Sequence, residues 1–295
     1  ALGIKPDYPE ALSNRGHALM ALGRHDEALL SFGKLLAVRP KDADALHGCG
    51  NALCALGRYA EALVNFDGAL AAQPDHAAAH FDRANALAAL KRYEAALAGY
   101  EQVLAIKPDD AAALANRGNA LLQLKRHDEA LASYEHALAI RPDDATTLNN
   151  RGTAFKERKQ FEAALASYEA ALALQPQLPD ALYNRANVLK DMKRYEEALA
   201  AYERARAIAP DHTDACGPID AALAVCDWKR IAPLAAEVTC QIEAGRPFTP
   251  FALLGLCDDP ALHLRCARNY IADRIPARSG HSPARSPSHR DNIRI

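Results

Sequence analysis

Asparagine recurs in this chain at a fixed interval, and its amide is the group there with useful chemistry. Asn14, Asn116, Asn150 and Asn184 fall in one row, and Asn51, Asn85, Asn119 and Asn187 in a second row three residues further on; within each row the spacing is a multiple of 34 residues. An amide both donates and accepts, so such rows can clamp the backbone of an extended peptide whatever its side chains. The competing reading is that these amides bond to neighbouring helices, since buried polar groups need partners. The eight asparagines are therefore the candidate peptide-binding residues. Other reactive side chains form no comparable pattern. The seven cysteines make no C-x-x-C pair and no zinc spacing, and no Gly-rich phosphate loop or nucleophile elbow is present. Histidines such as His25 and His127 take the position of Tyr59, Tyr93, Phe161 and Tyr195, which marks them as packing residues rather than acids or bases. No catalytic residue and no metal ligand is assigned.

The elements that position the asparagines follow from the same period. Prolines fall at Pro6, Pro40, Pro74, Pro108, Pro142, Pro176 and Pro210 without an insertion or deletion. Between them, apolar residues such as Leu114, Leu121, Leu131 and Leu138 recur at helical intervals, so each unit holds two amphipathic helices. Position eight is Gly or Ala throughout and position twenty is always Ala, small residues suited to close helix approach. Position twenty-four is always aromatic (Phe32, Phe66, Tyr100, Tyr134, Tyr168, Tyr202) and large enough to reach the next helix. Proline ends the second helix because it cannot donate the next backbone hydrogen bond. Arg15, Arg83, Arg117, Arg151 and Arg185 share position seven, where a packed stem with a guanidinium reaching a carboxylate or a helix end is the expected structural role.

A 34-residue helix pair of this composition resembles the tetratricopeptide repeat family, over six full units from Pro9 to His212. The resemblance implies an all-α, right-handed superhelix (an α-α solenoid) whose first helices line a concave face, with capping helices at its C-terminal end. The expected organisation is the end of an upstream repeat over 1–8, repeats over 9–42, 43–76, 77–110, 111–144, 145–178 and 179–212, capping helices and a helical lead-in over 213–275, and a linker with the start of a strand over 276–295. The opening Ala-Leu-Gly-Ile-Lys-Pro-Asp-Tyr matches the end of a unit, so at least one further repeat is expected upstream. From Thr213 the repeat fades, and Asp214–Cys226 reads as a first helix without a matching second half.

Beyond the repeats, the Cys226-Asp-Trp turn, the run Ile231–Ala244, Pro250-Phe-Ala-Leu-Leu, Asp258-Asp-Pro and Arg265-Cys-Ala-Arg are similar to bacterial, SPINDLY-like members of the O-linked N-acetylglucosamine transferase family. The resemblance spans about Asp214–Pro276. It implies a substrate-recruiting arm ahead of a glycosyltransferase domain that uses UDP-GlcNAc as donor and would lie beyond Ile295; the chain itself is expected to bind no cofactor and to be inactive. Relatives in that family carry a similar asparagine ladder. The alternative is a free-standing adaptor that binds peptides or proteins and modifies nothing. A net charge of −2 and a pI near 6.6 give no pull toward nucleic acid or an acidic membrane surface, and no apolar run is long enough to span a bilayer. The expected partner is a protein or extended peptide on the concave face, in the cytoplasm, with self-association left open.

Overall fold

The computed structural model describes residues 8–210 and 215–274, so the upstream repeat end (1–7), the linker and the opening strand lie outside the described residues. Every regular element among the described residues is helical. Six pairs follow one another: α1 (Pro9–Ala21) with α2 (His25–Val38), α3 (Ala43–Ala55) with α4 (Tyr59–Ala72), α5 (Ala77–Ala89) with α6 (Tyr93–Ile106), α7 (Ala111–Gln123) with α8 (His127–Ile140), α9 (Ala145–Glu157) with α10 (Phe161–Leu174), and α11 (Pro179–Asp191) with α12 (Tyr195–Ile208). Then come α13 (Cys216–Ala224), α14 (Trp228–Glu243), the short α15 (Pro250–Leu253) and α16 (Pro260–Arg274). The chain divides into two compact units at Val188–Leu189, and each is described by itself.

In the first unit the turn chemistry repeats with the period. The carboxylates of Asp42, Asp110 and Asp144 accept from the backbone N–H of Ala45, Ala113 and Thr147, satisfying an orphan donor at the start of each first helix; the ring of His76 does the same for Ala79. Two residues beyond each first helix the backbone turns left-handed. Glycine provides this at Gly23 (φ 71°) and Gly57 (φ 73°), whereas Lys91, Lys125 and Lys159 adopt φ 59° despite their Cβ atoms.

The aromatic residue at position twenty-four is the centre of each repeat. Phe32, Phe66, Tyr100, Tyr134 and Tyr168 are all buried. A Cβ on Gly16 would lie 2.5 Å from the Phe32 ring, and one on Gly118 2.5 Å from the Tyr134 ring. Position eight is thus small because an aromatic face lies on it, a tighter reason than backbone approach alone. The third repeat shows the exchange: Ala84 occupies position eight, and the compensating glycine is Gly99 on α6, whose added Cβ would meet that of Ala84 at 2.8 Å. The arginines at position seven tie helices together: Arg83 bonds Asp67 at 2.6 Å and Arg185 reaches Glu169 at 3.4 Å, carboxylates as expected, whereas Arg117 and Arg151 donate to the hydroxyls of Ser133 at 2.9 Å and Ser167 at 3.2 Å.

The second unit corrects one expectation. α13 does have a second half: Cys226 takes the left-handed conformation (φ 55°), Asp227 accepts from Arg230 N–H, and α14 starts at Trp228, before the amphipathic run. This is the turn of the repeats with unfamiliar residues in it. Ile219, Val238, Ile242, Phe248, Leu253, Leu262 and Cys266 form one core, and Asn269 on α16 closes it by donating to the carbonyl of Ile242 at 2.8 Å. Asp259 caps α16 by accepting from Ala261 N–H at 2.9 Å.

Candidate functional site

The first helices of neighbouring repeats touch side by side, α1 with α3, α3 with α5, α5 with α7 and α7 with α9, and this places the asparagine rows next to one another. Their amides are joined. Asn85 Oδ1 accepts from Tyr100 Oη at 2.8 Å and from Asn116 Nδ2 at 3.0 Å. One repeat later, Asn119 Oδ1 accepts from Tyr134 Oη at 2.8 Å and from Asn150 Nδ2 at 2.9 Å. The competing structural reading of the asparagines is therefore present in the molecule: one polar atom of each of these residues serves the contact between repeats.

The same bonds fix what is left over. With both acceptor sites of Oδ1 occupied, the amide orientation at Asn85 and Asn119 is set, and their Nδ2 groups donate to nothing among the described residues. Asn116 and Asn184 spend Nδ2 and keep their carbonyl oxygens. A free N–H donor on Asn85 and a free C=O on Asn116 sit on amides already joined to each other. That is the pairing a peptide unit needs, since it presents one C=O and one N–H.

At the far end of this unit the pattern shifts. Position nine is Thr153, whose hydroxyl donates to the Asn149 carbonyl at 3.3 Å and pairs with Tyr168 Oη at 3.3 Å; Asn184 Nδ2 donates to Asn149 Oδ1 at 3.0 Å, and Asn149 Nδ2 to Asn150 Oδ1 at 3.2 Å. Asn187 is half-buried and engaged in an interaction of its own. Toward the start of the chain, Asn14 is exposed and bonds to nothing among the described residues, while Asn51 lies 3.3 Å from His47 Nε2. That nitrogen is 2.7 Å from Asp82 Oδ2; a ring nitrogen donating to the carboxylate cannot also accept from Asn51, so the Asp82 contact prevails and the Asn51 amide stays available.

Sequence reasoning gave Tyr100, Tyr134 and Tyr168 a packing role only. Their hydroxyls orient the site, and the available signal was the change from Phe to Tyr at position twenty-four between the second and third repeats. Burial raises all three phenols above the ordinary tyrosine value, Tyr168 to about 12, so they act as donors at any physiological pH. Burial likewise pushes the thiols of Cys49 and Cys54 up to about 11, which makes them packing groups. His25 and His127 each bury an unpartnered Nδ1, in keeping with a packing role. No cluster of three or more metal-ligating side chains occurs among the described residues, and no described helix is long and apolar enough to cross a membrane.

Comparison with known proteins places this architecture. Models of the tetratricopeptide repeat match residues 19–64, 50–111, 109–177 and 179–212. No curated protein matches the chain. Among solved structures, a tetratricopeptide repeat protein from Parabacteroides merdae superposes with a TM-score of 0.67 at 17% identity, over 89% of this chain and 98% of its own. PilW, a type IV pilus biogenesis factor, gives 0.64 at 23% identity over 68% and 94%, and YrrB, described as having an unusual peptide-binding site, gives 0.52 at 23% over 67% and 97%. The period, the helix pairs, the aromatic-on-glycine packing and these matches together make the chain a member of the tetratricopeptide repeat family of protein-interaction scaffolds.

Proposed function

We propose that the face formed by α3, α5, α7 and α9 holds an extended segment of a partner protein, reading its backbone rather than its side chains. The observation that carries this is the residual amide chemistry: Asn85 and Asn119 keep N–H donors, and Asn116 keeps a carbonyl, on amides whose orientation is locked from behind. Preorganised groups of this kind bind without the entropy loss of ordering a flexible side chain. The peptide-binding site that gives YrrB its description supports the reading by analogy of fold.

The test uses substitutions that keep the inner bonds and remove the outer ones. In Asn85→Asp with Asn119→Asp, a carboxylate oxygen still accepts from Tyr100 or Tyr134 and from the next asparagine, but the outward N–H donors are gone. A peptide selected from a random library on the immobilised chain should lose roughly ten- to a hundredfold in affinity, with the melting temperature little changed. Unchanged affinity, or binding that maps to another surface, rejects the proposal. Replacing Asn116, Asn150 and Asn184 together by Ala is the complementary variant. It removes inner donors, so it lowers stability as well as affinity.

A narrower form of the same reading makes this chain the substrate-recruiting arm of a protein O-GlcNAc transferase, supported by the resemblance of residues 214–276 to that family. The chain alone then binds no UDP-GlcNAc, and the longest product of its reading frame transfers the sugar to a protein captured on the asparagine face. Absence of transfer removes the narrower form and leaves the adaptor.

A further inference from the structure

In the repeats the arginine at position seven fills the space between position twenty-five of the preceding second helix and position twenty-three of its own. Arg117 lies 3.9 Å from Glu101 and donates to Ser133 at 2.9 Å, and Arg83 and Arg185 reach Asp67 and Glu169. Where the second repeat has Cys49 instead, the thiol is packed with Leu19, Ala28 and Phe32. The second unit keeps this frame and loses the occupant. An added Cβ on Gly217 would lie 2.7 Å from the Tyr202 ring, as one on Gly48 would from Phe32, and Cys226 turns left-handed where Lys125 does. Counted from either mark, position seven is Pro218 and position twenty-three is Leu234. Both members of the Arg117–Ser133 pair are thus replaced by apolar residues. What remains is a pocket of about 190 Å3 walled by Leu199, Tyr202, Pro218 and Leu234, all buried. Its charged neighbours are engaged with one another: Glu203, the counterpart of Glu101, accepts from Arg230 Nε at 2.6 Å, Arg230 Nη1 donates to Asp227 at 2.5 Å, and Arg206 donates to Glu237.

We infer that this pocket binds a small neutral molecule built on a single apolar ring. Protein interiors are close-packed, so side chains around an unfilled space of this size lack contacts that an occupant restores, and walls of carbon give an ordered water few partners. The volume sets the class of guest. A cavity of about 150 Å3 lined by Leu, Ile and Phe holds benzene, so the space here admits one ring with a small substituent. A guanidinium is not the expected guest, because Arg230 already occupies Glu203. The site lies wholly in the second unit and shares no residue with the asparagine face.

Fluorobenzene is the probe. It is titrated against the full chain and followed by fluorine NMR line broadening, with toluene as a neutral competitor and ethylguanidinium as a cationic one. The expected result is saturable binding with a dissociation constant on the order of 0.1–1 mM, displaced by toluene and untouched by ethylguanidinium. Two variants fill the pocket from within. Pro218→Arg with Leu234→Ser restores the pair that Arg117 and Ser133 make, and Leu234→Phe sets a ring of the protein's own in the space. Each should weaken fluorobenzene binding roughly tenfold or more, with the melting temperature held or raised. The inference is overturned by broadening that does not saturate at millimolar probe, by displacement with ethylguanidinium in preference to toluene, or by undiminished binding in a variant whose circular dichroism matches the parent.

Discussion

The repeats built on Phe32 and Phe66 and those built on Tyr100, Tyr134 and Tyr168 have the same helices, yet they solve the contact between neighbours differently. At Tyr100 and Tyr134 the hydroxyl holds an asparagine oxygen in place and the next repeat donates to the same oxygen, while the hydroxyl of Tyr168 pairs with Thr153. Without the hydroxyl the arrangement dissolves. Phe32 is flanked by His17 edge-on at 5.2 Å, and at the following position six the asparagine is replaced by Gly48, whose added Cβ would lie 2.7 Å from the ring. Beside Phe66 stands the hydrogen bond between His47 and Asp82. A hydroxyl on the buried ring together with an asparagine at position nine thus gives the outer face an ordered amide pair, where the phenylalanine repeats carry an assortment of imidazole, carboxylate and glycine.

Removing the ring altogether should erase the distinction and produce the largest effect. Tyr134→Ala and Phe66→Ala each empty a fully buried site and should cost about 3–5 kcal/mol, measured by denaturant unfolding of the first unit's signal. Gly118→Ala and Gly16→Ala come next, at about 1–3 kcal/mol each, because the new methyl group meets an aromatic ring that close packing prevents from moving. Similar losses in both regions are expected here too, since the ring-on-glycine contact is common to them.

The exchange of hydroxyl for hydrogen separates the regions. Tyr134→Phe should cost about 0.5–1.5 kcal/mol and free the Asn119 amide to rotate, whereas Phe66→Tyr places a donor near an uncommitted Asn51 and should be neutral or stabilising. Alkali sharpens the contrast. The buried phenols hold their protons above the unfolded value of 10, so the unfolded chain loses protons first. Their contribution is intact below pH 10 and declines as pH rises, through about 12 for Tyr168. In the phenylalanine repeats the corresponding groups are Cys49 and Cys54, raised from 9.0 to about 11, so the decline there begins at lower pH. Hydrogen exchange along the chain between pH 9 and 11 should show the Phe66 region loosening first; simultaneous loosening contradicts the assignment.

The smallest effect lies in the turns. Lys125→Gly relieves a left-handed residue and should stabilise by up to about 1 kcal/mol, and Gly57→Lys should destabilise by a similar amount. Thermal melting of the two variants in parallel checks both signs.

The repeat architecture is legible in the sequence because period is a property of spacing alone: seven prolines, a small residue at position eight and an aromatic at twenty-four suffice to place twelve helices. The locations of the asparagines follow from the same count. Their bonding does not. Whether Asn116 spends its N–H on Asn85 or offers it to a ligand depends on a few ångströms of separation between α5 and α7, which no spacing encodes. The second half of the α13 pair was hidden for a related reason. Cys226, Asp227 and Trp228 perform the turn with none of the residues used in the repeats, so the backbone conformation persisted after the pattern had gone. Arg206 takes the position held by Leu36, Leu70, Leu104, Leu138 and Leu172 in the other repeats, but only the structure pairs it with Glu237.

The amide bonds between repeats all run one way: Asn116 donates to Asn85, Asn150 to Asn119 and Asn184 to Asn149, always from the later unit to the earlier. A unit that gives at its front and receives at its back is self-complementary under translation. Copying residues 111–144 in tandem therefore creates no orphan at the new seam, because the duplicate Asn116 finds the Asn119 acceptor of its twin. A gene carrying such an array can lengthen or shorten by whole units through unequal recombination without any compensating change elsewhere.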